Sequence, residues 1–175
     1  MVVTNSTSLP TVDELTVPEL NVSFPLLQAA AFTMGKYCEY HNNEFMLCRD
    51  ETQDVRKCID EGKAVTACAL DFFRKIKKNC YNEFTQYYNC IDKSSGVGAF
   101  EYCRQTQAVY DKCVLDKLNI ERPGYGYFCE VKIHDSTRPK PQPEKRIIYE
   151  DVTPGLPKDA PLPEARFNSR FQWSK

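Results

Sequence analysis

The chain has 175 residues, and its 23 Lys and Arg nearly balance its 24 Asp and Glu, which leaves a formal net charge of −1. A protein that binds nucleic acid needs a basic face, so this charge balance argues against a nucleic-acid partner. No apolar run approaches the ~20 residues that cross a bilayer, so no transmembrane span is expected. The chain has nine cysteines but only two histidines, which leaves little room for histidine-based catalysis or a histidine-rich metal site.

Proline divides the sequence into three regions. Three prolines lie within the first 25 residues, none lies within 26–122, and eight follow from Pro123 onward. A long stretch without proline permits long helices. The sequence predicts four parts, namely an extended N-terminal arm, a first helix with a first hairpin, a second hairpin, and a proline-rich extended C-terminal arm: 1–25, 26–75, 76–121 and 122–175.

The central region is predicted to be all-α, because no segment alternates β-branched residues as a strand would. Ser23 is the expected N-cap of a first helix that has Pro25 in its first turn and ends near Gly35. Asp54 and Asn82 are the expected N-caps of two later helices. The remaining helices are predicted over 42–50, 55–79, 83–93 and 99–118. Residues 38–43 are the least helical stretch, so Cys38, and by analogy Cys80, is expected just before its helix.

Eight of the nine cysteines form an internal repeat. They define four segments with the spacing C-x9-C: 38–48, 58–68, 80–90 and 103–113. The first two cysteines recur 42 positions later, and the next two recur 45 positions later. The offset changes where the second unit carries residues 94–98, a Ser- and Gly-rich loop. The sequence therefore contains two copies of one cysteine-bearing unit.

The spacing constrains how the cysteines can pair. Ten residues of helix rise about 15 Å, whereas a disulfide needs Cα atoms about 4.4–6.8 Å apart. The two cysteines of one segment therefore cannot bond to each other. Short connections make the paired helices antiparallel, and of the three possible patterns only the nested one fits. The predicted disulfides are Cys38–Cys68, Cys48–Cys58, Cys80–Cys113 and Cys90–Cys103, with Cys129 unpaired.

A metal site is the weaker interpretation of these cysteines. Zinc sites use close C-x2–4-C spacings, which the sequence lacks. Iron–sulfur spacings and the adjacent cysteine pair of copper carriers are also missing. No metal ligand is therefore predicted, and reduced structural thiols are the other alternative to disulfides.

No catalytic residue or cofactor is predicted. His41 and His134 are far apart in sequence and lie among polar residues, which favours surface or interface positions. Catalysis would require a nucleophile with a base, paired carboxylates or a redox dithiol, and none is recognisable.

The compartment follows from the disulfides. Disulfides persist in oxidising compartments, yet the N-terminus lacks the basic and apolar regions of a secretory signal. The mitochondrial intermembrane space is expected, because small cysteine-rich proteins are oxidised and retained there.

The paired C-x9-C hairpins resemble those of the coiled-coil-helix-coiled-coil-helix (CHCH) proteins. Two such units in tandem between proline-rich arms resemble one family in particular, the twin C-x9-C accessory subunits of mitochondrial respiratory complex I (the alpha subcomplex subunit 8 family). The stretches that carry this resemblance are 44–49, 68–74, 113–118 and, loosely, 169–175.

The resemblance implies a non-catalytic structural accessory subunit of NADH:ubiquinone oxidoreductase, the respiratory-chain enzyme of electron transport. It would stabilise or assemble the membrane arm from the intermembrane-space face, peripheral to the inner membrane, with other membrane-arm subunits as partners. Import would use the disulfide-relay oxidoreductase, which docks on an apolar strip beside a cysteine: Phe45 with Met46, or Tyr87 with Tyr88. The alternative is a soluble intermembrane-space CHCH assembly factor or metal carrier.

Both arms are expected to contact partners, with a disordered tail as the alternative. The C-terminal arm has too few aliphatic residues to form its own core, but it carries spaced aromatic and Arg residues, which commonly anchor interfaces. The interface candidates are Tyr125, Tyr127, Phe128, Phe167, Arg170, Phe171 and Trp173. Residues 9–22 are expected to dock similarly. Cys129 is expected to lie in a buried interface as a free thiol, and the alternatives are a bridge to a neighbour or a modification.

Overall fold

A computed structural model describes residues 9–142 and 159–161. Within these ranges the chain is helical and contains no strand. The helices are α1 (Val12–Leu15), α2 (Phe24–Tyr37), α3 (Glu39–Thr52), α4 (Ile59–Asn79), α5 (Tyr81–Ser94) and α6 (Arg104–Leu118). Short 3₁₀ turns lie at Val55–Cys58, Glu101–Cys103 and Tyr127–Cys129. The all-α prediction is therefore confirmed.

The chain divides into two compact units, Met1–Pro141 and Gln142–Lys175. Residues 122–141 thus group with the helices and not with the rest of the predicted C-terminal arm. All contacts described below lie within the first unit. None of the described helices combines the length and apolar character needed to cross a membrane.

The N-terminal arm contains one short helix that the sequence prediction missed. The Thr11 side chain accepts a hydrogen bond from the Glu14 N–H (3.2 Å), and the Glu14 carboxylate accepts one from the Thr11 N–H (2.7 Å). This reciprocal capping box stabilises the single turn of α1. The predicted extended arm is therefore interrupted by a local helical turn.

Helix α2 begins after Ser23 and has Pro25 in its first turn, as predicted. The Ser23 backbone is extended, but its side chain forms no capping hydrogen bond. Cys38 alone separates α2 from α3, and α3 starts at Glu39, three residues before the predicted start at 42. The weak helix propensity of this stretch is overridden by the packing of the first hairpin, since propensity is only a weak local preference.

The first hairpin turns without glycine or proline. Gln53 takes a left-handed conformation (φ 53°) and ends α3. Asp54 then accepts a hydrogen bond from the Arg56 N–H (3.0 Å), which confirms it as the cap of the next turn. The Thr52 hydroxyl donates to the carbonyl of Cys48 (2.8 Å) and so satisfies one of the last carbonyls of α3. The turn is therefore built from local polar groups.

The predicted N-cap at Asn82 is wrong. Cys80 occupies that position, and α5 begins at Tyr81. The Cys80 N–H donates to Ile76 (2.8 Å), and its carbonyl accepts from the Phe84 N–H (3.0 Å), so one residue both ends α4 and starts α5. No room is left for a separate capping residue. Separately, the boundary that was expected between the two hairpin regions, at residues 75 and 76, lies inside α4.

The sequence repeat is also a repeat of backbone geometry. Cys58 precedes α4 with φ −112° and ψ 26°, and Cys103 precedes α6 with φ −113° and ψ 22°. Each is the last residue of a 3₁₀ turn, and each is buried. The two hairpins therefore place their equivalent cysteines in the same local structure.

The apolar core lies mainly between α2, the second hairpin and the C-terminal half of α4. Its largest fully buried members are Phe72, Ile76, Tyr87, Ile91, Tyr110 and Val114. The Tyr87 and Tyr110 rings stack at 5.6 Å, and the Tyr110 hydroxyl shares a hydrogen bond with Thr33 of α2 (3.0 Å). By contrast, α3 buries only Glu44 and Cys48. The first hairpin therefore has little apolar core of its own.

Candidate functional site: bridged hairpins and a C-terminal strap

The structure joins eight cysteines in four nested disulfides, with Cα atoms 5.8–6.0 Å apart. The pairs are Cys38–Cys68 and Cys48–Cys58 in the first hairpin, and Cys80–Cys113 and Cys90–Cys103 in the second. In each hairpin one disulfide lies beside the loop and the other at the open end. Each pair of antiparallel helices is thus fixed at both ends.

One group of described side chains has its potential ligand atoms close enough for a metal ion. The sulfurs of Cys48 and Cys58 and a carboxylate oxygen of Glu61 all lie within 4.8 Å of one another. The two sulfurs are bonded to each other, and a disulfide does not supply the thiolates that zinc requires. These residues therefore do not form a metal centre while the bridge is oxidised.

Residues 127–138, here called the C-terminal strap, lie along the first hairpin. The strap begins at Tyr127, whose hydroxyl donates to the Glu39 carboxylate (2.7 Å) and also contacts Lys36. Lys36 and Lys132 form ion pairs with the same carboxylate at 2.9 and 3.2 Å. Both ammonium groups also lie over the Tyr127 ring. Burial raises the pKa of Glu39, but the hydrogen bonds from Tyr127, Lys36 and Lys132 outweigh it and lower the pKa to about 2.

The middle of the strap binds a buried acid of α3. Glu44 is 9% exposed and accepts hydrogen bonds from His134 (2.7 Å) and Ser136 (2.9 Å). The Ser136 hydrogen bond lowers the pKa of Glu44, against the opposing effect of burial, and His134 adds to the lowering. A buried carboxylate without such partners would be costly. The strap therefore supplies the groups that stabilise Glu44 in its ionised form.

The strap ends at Arg138, which links both helices of the first hairpin. Its guanidinium pairs with Glu51 of α3 at 2.8 Å and lies 3.8 Å from Glu44 and from Glu61 of α4. A single cation thus neutralises acids from α3 and α4 at once. Sequence analysis missed this network; its one signal was the series of polar residues at every second position from Lys132 to Arg138.

The structure places the predicted interface residues in different environments. Tyr127 is partly buried and bonded to Glu39 and Lys36 of its own chain, and its contact with a partner stays a prediction. Tyr125 is fully exposed, and Phe128 is half-exposed with its ring edge against Gly35 of α2. Cys129 is exposed and unpaired. Four further candidates lie outside the described residues: Phe167, Arg170, Phe171 and Trp173.

A cleft of about 790 Å³ is lined by residues of α2, α3 and the strap. Its lining mixes apolar side chains such as Met46 and Leu47 with acids such as Asp50 and Glu130. Its histidine, His134, already binds Glu44. The histidine of this lining is therefore engaged in holding the strap on α3.

The two candidate docking strips for the import oxidoreductase differ in accessibility. Tyr87 is fully buried in the core, and Tyr88 is partly buried and packs against the core. Met46 is 58% exposed on α3, while Phe45 is half-buried and contacts Gly62 of α4. In the folded chain only the strip beside Cys48 presents a largely exposed apolar side chain.

Comparison with protein-family models gave no match. The NADH-ubiquinone oxidoreductase 20.8 kDa subunit of Neurospora crassa is 31% identical over 108 residues, which are 61% of this chain and 58% of that protein. The NADH dehydrogenase (ubiquinone) 1 alpha subcomplex subunits 8-B and 8-A of Arabidopsis thaliana are each 29% identical over 87 residues, which are 50% of this chain and 80% and 79% of theirs. The chain thus spans less than two thirds of the Neurospora subunit. It is nevertheless a homologue of proteins named alpha subcomplex subunit 8, and its four cysteine pairs fit the twin C-x9-C fold of the CHCH proteins.

Proposed function

We propose that the chain is a non-catalytic, structural accessory subunit of mitochondrial NADH:ubiquinone oxidoreductase. The observation that carries this proposal is the similarity to named subunits of that enzyme in a fungus and in a plant, over 108 and 87 residues. The twin C-x9-C hairpins support it, because they give a small helical protein a rigid shape without a large core.

The described charged groups support a structural role. The carboxylates of Glu39, Glu44, Asp54 and Asp71 all have lowered pKa values, and each is bonded to a nearby cation or hydroxyl. A catalytic acid or base needs a pKa near the working pH. Three of these ionised groups, Glu39, Glu44 and Asp71, instead join one segment of the chain to another, and Asp54 caps a local turn.

The position we propose is the intermembrane-space face of the membrane arm, peripheral to the inner membrane. Four disulfides suit an oxidising compartment, and oxidation by the disulfide relay would form them during import. Other membrane-arm subunits would be the partners, and exposed aromatic residues such as Tyr125 and Phe128 are suited to contact them.

Depletion tests the proposal. Mitochondria that lack the chain should contain less assembled complex I on native gels, by at least about fivefold, and unchanged complex III. Re-expression of the wild-type chain should restore complex I. Normal amounts of complex I without the chain would contradict the proposal, and recovery of the chain solely as a small soluble species would favour the assembly-factor alternative.

A further inference from the structure

We propose that residues 130–135 of the strap are a docking edge for an extended segment of a partner polypeptide, which pairs with them as an added β-strand. The inference deepens the proposed function, because it states how the chain would hold a neighbouring subunit. It rests on three features of the strap, which are its extension along α3, its alternation, and its unpaired backbone.

The first feature is extension. Lys132 contacts Glu39 and Arg138 contacts Glu51. Glu39 and Glu51 are separated by about 18 Å along a helix that rises ~1.5 Å per residue. The chain from Lys132 to Arg138 spans about 20 Å at ~3.3 Å per residue when it is fully extended. Because residues 131–137 also contain no turn or bend, these lengths indicate that the strap follows α3 as a nearly extended chain.

The second feature is alternation. The even-numbered side chains from Lys132 to Arg138 all reach acids of the first hairpin. The odd-numbered ones point elsewhere: the relative exposures of Val131 and Ile133 are 102% and 92%. Two fully exposed β-branched side chains at alternate positions are typical of a strand that lacks a neighbour.

The third feature is the unpaired backbone. In the described part of the chain, the last backbone–backbone hydrogen bond before Pro141 runs from the Cys129 N–H to Gly126 (2.8 Å). Residues 130–137 donate and accept no such bond within those ranges. A row of free N–H and C=O groups on an extended chain is a template for strand addition.

The strap is also ordered before any partner arrives. Lys132, His134, Ser136 and Arg138 fix it on the helices by side-chain contacts alone, so the backbone stays available. Binding to a preorganised edge costs less conformational entropy than folding a free segment. A polypeptide fits this edge better than a lipid does, because only another backbone supplies alternating donors and acceptors.

Two substitutions at one position separate backbone pairing from simple apolar contact. Val131→Pro removes an N–H but keeps an apolar side chain, whereas Val131→Thr keeps the N–H and the β-branched shape but is more polar. Glu130 is already extended (φ −69°, ψ 136°), as a residue before proline must be. Neither variant should change the thermal unfolding of the oxidised, isolated full-length chain.

Each variant is expressed in place of the wild-type chain, and its share in high-mass species is measured on native gels of mitochondrial membranes. Strand pairing predicts that Val131→Pro lowers this share about fivefold, the effect of one lost hydrogen bond, and that Val131→Thr lowers it less than about twofold. Incorporation of Val131→Pro at the wild-type level would overturn pairing through the edge that carries the Val131 N–H, because only alternate N–H groups of a strand face one neighbour. Hydrogen exchange then decides for the opposite edge. A larger loss for Val131→Thr than for Val131→Pro would overturn the inference, since apolar contact would then dominate.

Hydrogen exchange of the wild-type chain tests strand pairing without any substitution. It therefore decides between pairing and no pairing even if Val131→Pro alters folding. The amides of 130–135 should exchange at least about tenfold more slowly in the assembly than in the isolated chain. Unchanged exchange would overturn the inference and leave the proposed function intact. Protection in an assembly other than complex I would support the inference and contradict the proposed function. Recovery of the wild-type chain only as a small species would contradict both.

Discussion

A single glycine allows the loop of the second hairpin to meet α2. The amide of Gln28 donates to the Gly98 carbonyl at 2.7 Å and so joins the first helix of the core to this loop. Gly98 has φ +66°, and a Cβ at this position would lie 2.5 Å from the Gln28 side-chain oxygen. The positive φ therefore favours glycine, and a Cβ would also displace the end of the Gln28 side chain.

We expect Gly98→Ala to lower the free energy of unfolding of the oxidised chain by about 1–3 kcal/mol, because alanine is strained at positive φ and must displace Gln28. Gly96→Ala is the matched control, since a Cβ there meets nothing within 4 Å and its φ is not positive. That control should change stability by less than about 0.5 kcal/mol. Denaturant unfolding measures both, and equal effects would show that the contact with Gln28 is unimportant.

For individual residues, hydrogen bonds between neighbours in sequence were predictable, and pairs of residues far apart in sequence were not. Asp54 was recognisable as a cap because its partner, Arg56, is two residues away. The pairing of Glu44 was not recognisable, because its partner His134 is 90 positions further along the chain. No periodicity in the sequence identifies a contact of that separation.

The two hairpins share one disulfide pattern but differ in what else holds their helices. The second contributes Phe84, Tyr87, Ile91, Tyr110 and Val114 to the core. Helix α3 of the first contributes a cysteine and an acid. The first hairpin therefore depends more strongly on its bridges and on the strap.

Removing the outer bridge of each hairpin tests this difference. The bridges Cys38–Cys68 and Cys80–Cys113 span 30 and 33 positions, so their loss should affect the unfolded chain almost equally. We expect the double variant Cys38→Ser/Cys68→Ser to speed hydrogen exchange of α3 by at least about tenfold. The double variant Cys80→Ser/Cys113→Ser should leave the amides of α5 protected, because their core packing persists. Equal loss of protection in the two hairpins would contradict the asymmetry.

The existence of the helices was predictable because proline is missing from the central region and the cysteines repeat. Their junctions were less predictable. Asn82 is a favourable capping residue, but the bridge from Cys80 to Cys113 fixes the end of α4 and α5 starts one residue later. A cap chosen by local propensity thus yields to a position set by a covalent bond.

Within the first unit, α2 packs on the second hairpin and the strap packs on the first hairpin. Segments outside the C-x9-C units therefore contribute to the packing of both hairpins. This explains why residues 122–141 belong with the helices, although their composition resembles a tail. Several apolar side chains of the same segment face outward: Tyr125, Phe128, Val131 and Ile133. These exposed side chains, carried by helices that four disulfides bridge, would suit the contacts with neighbouring subunits that we propose.

The most direct test of the subunit proposal is the stoichiometry of the chain in purified complex I. Complex I isolated from mitochondria of the source organism, under non-reducing conditions, should contain one copy of the chain per copy of the enzyme, and the chain should persist through a salt wash. Its absence from the pure enzyme, or its presence far below one copy while most of the chain stays in the soluble fraction, would contradict the proposal that it is a structural subunit.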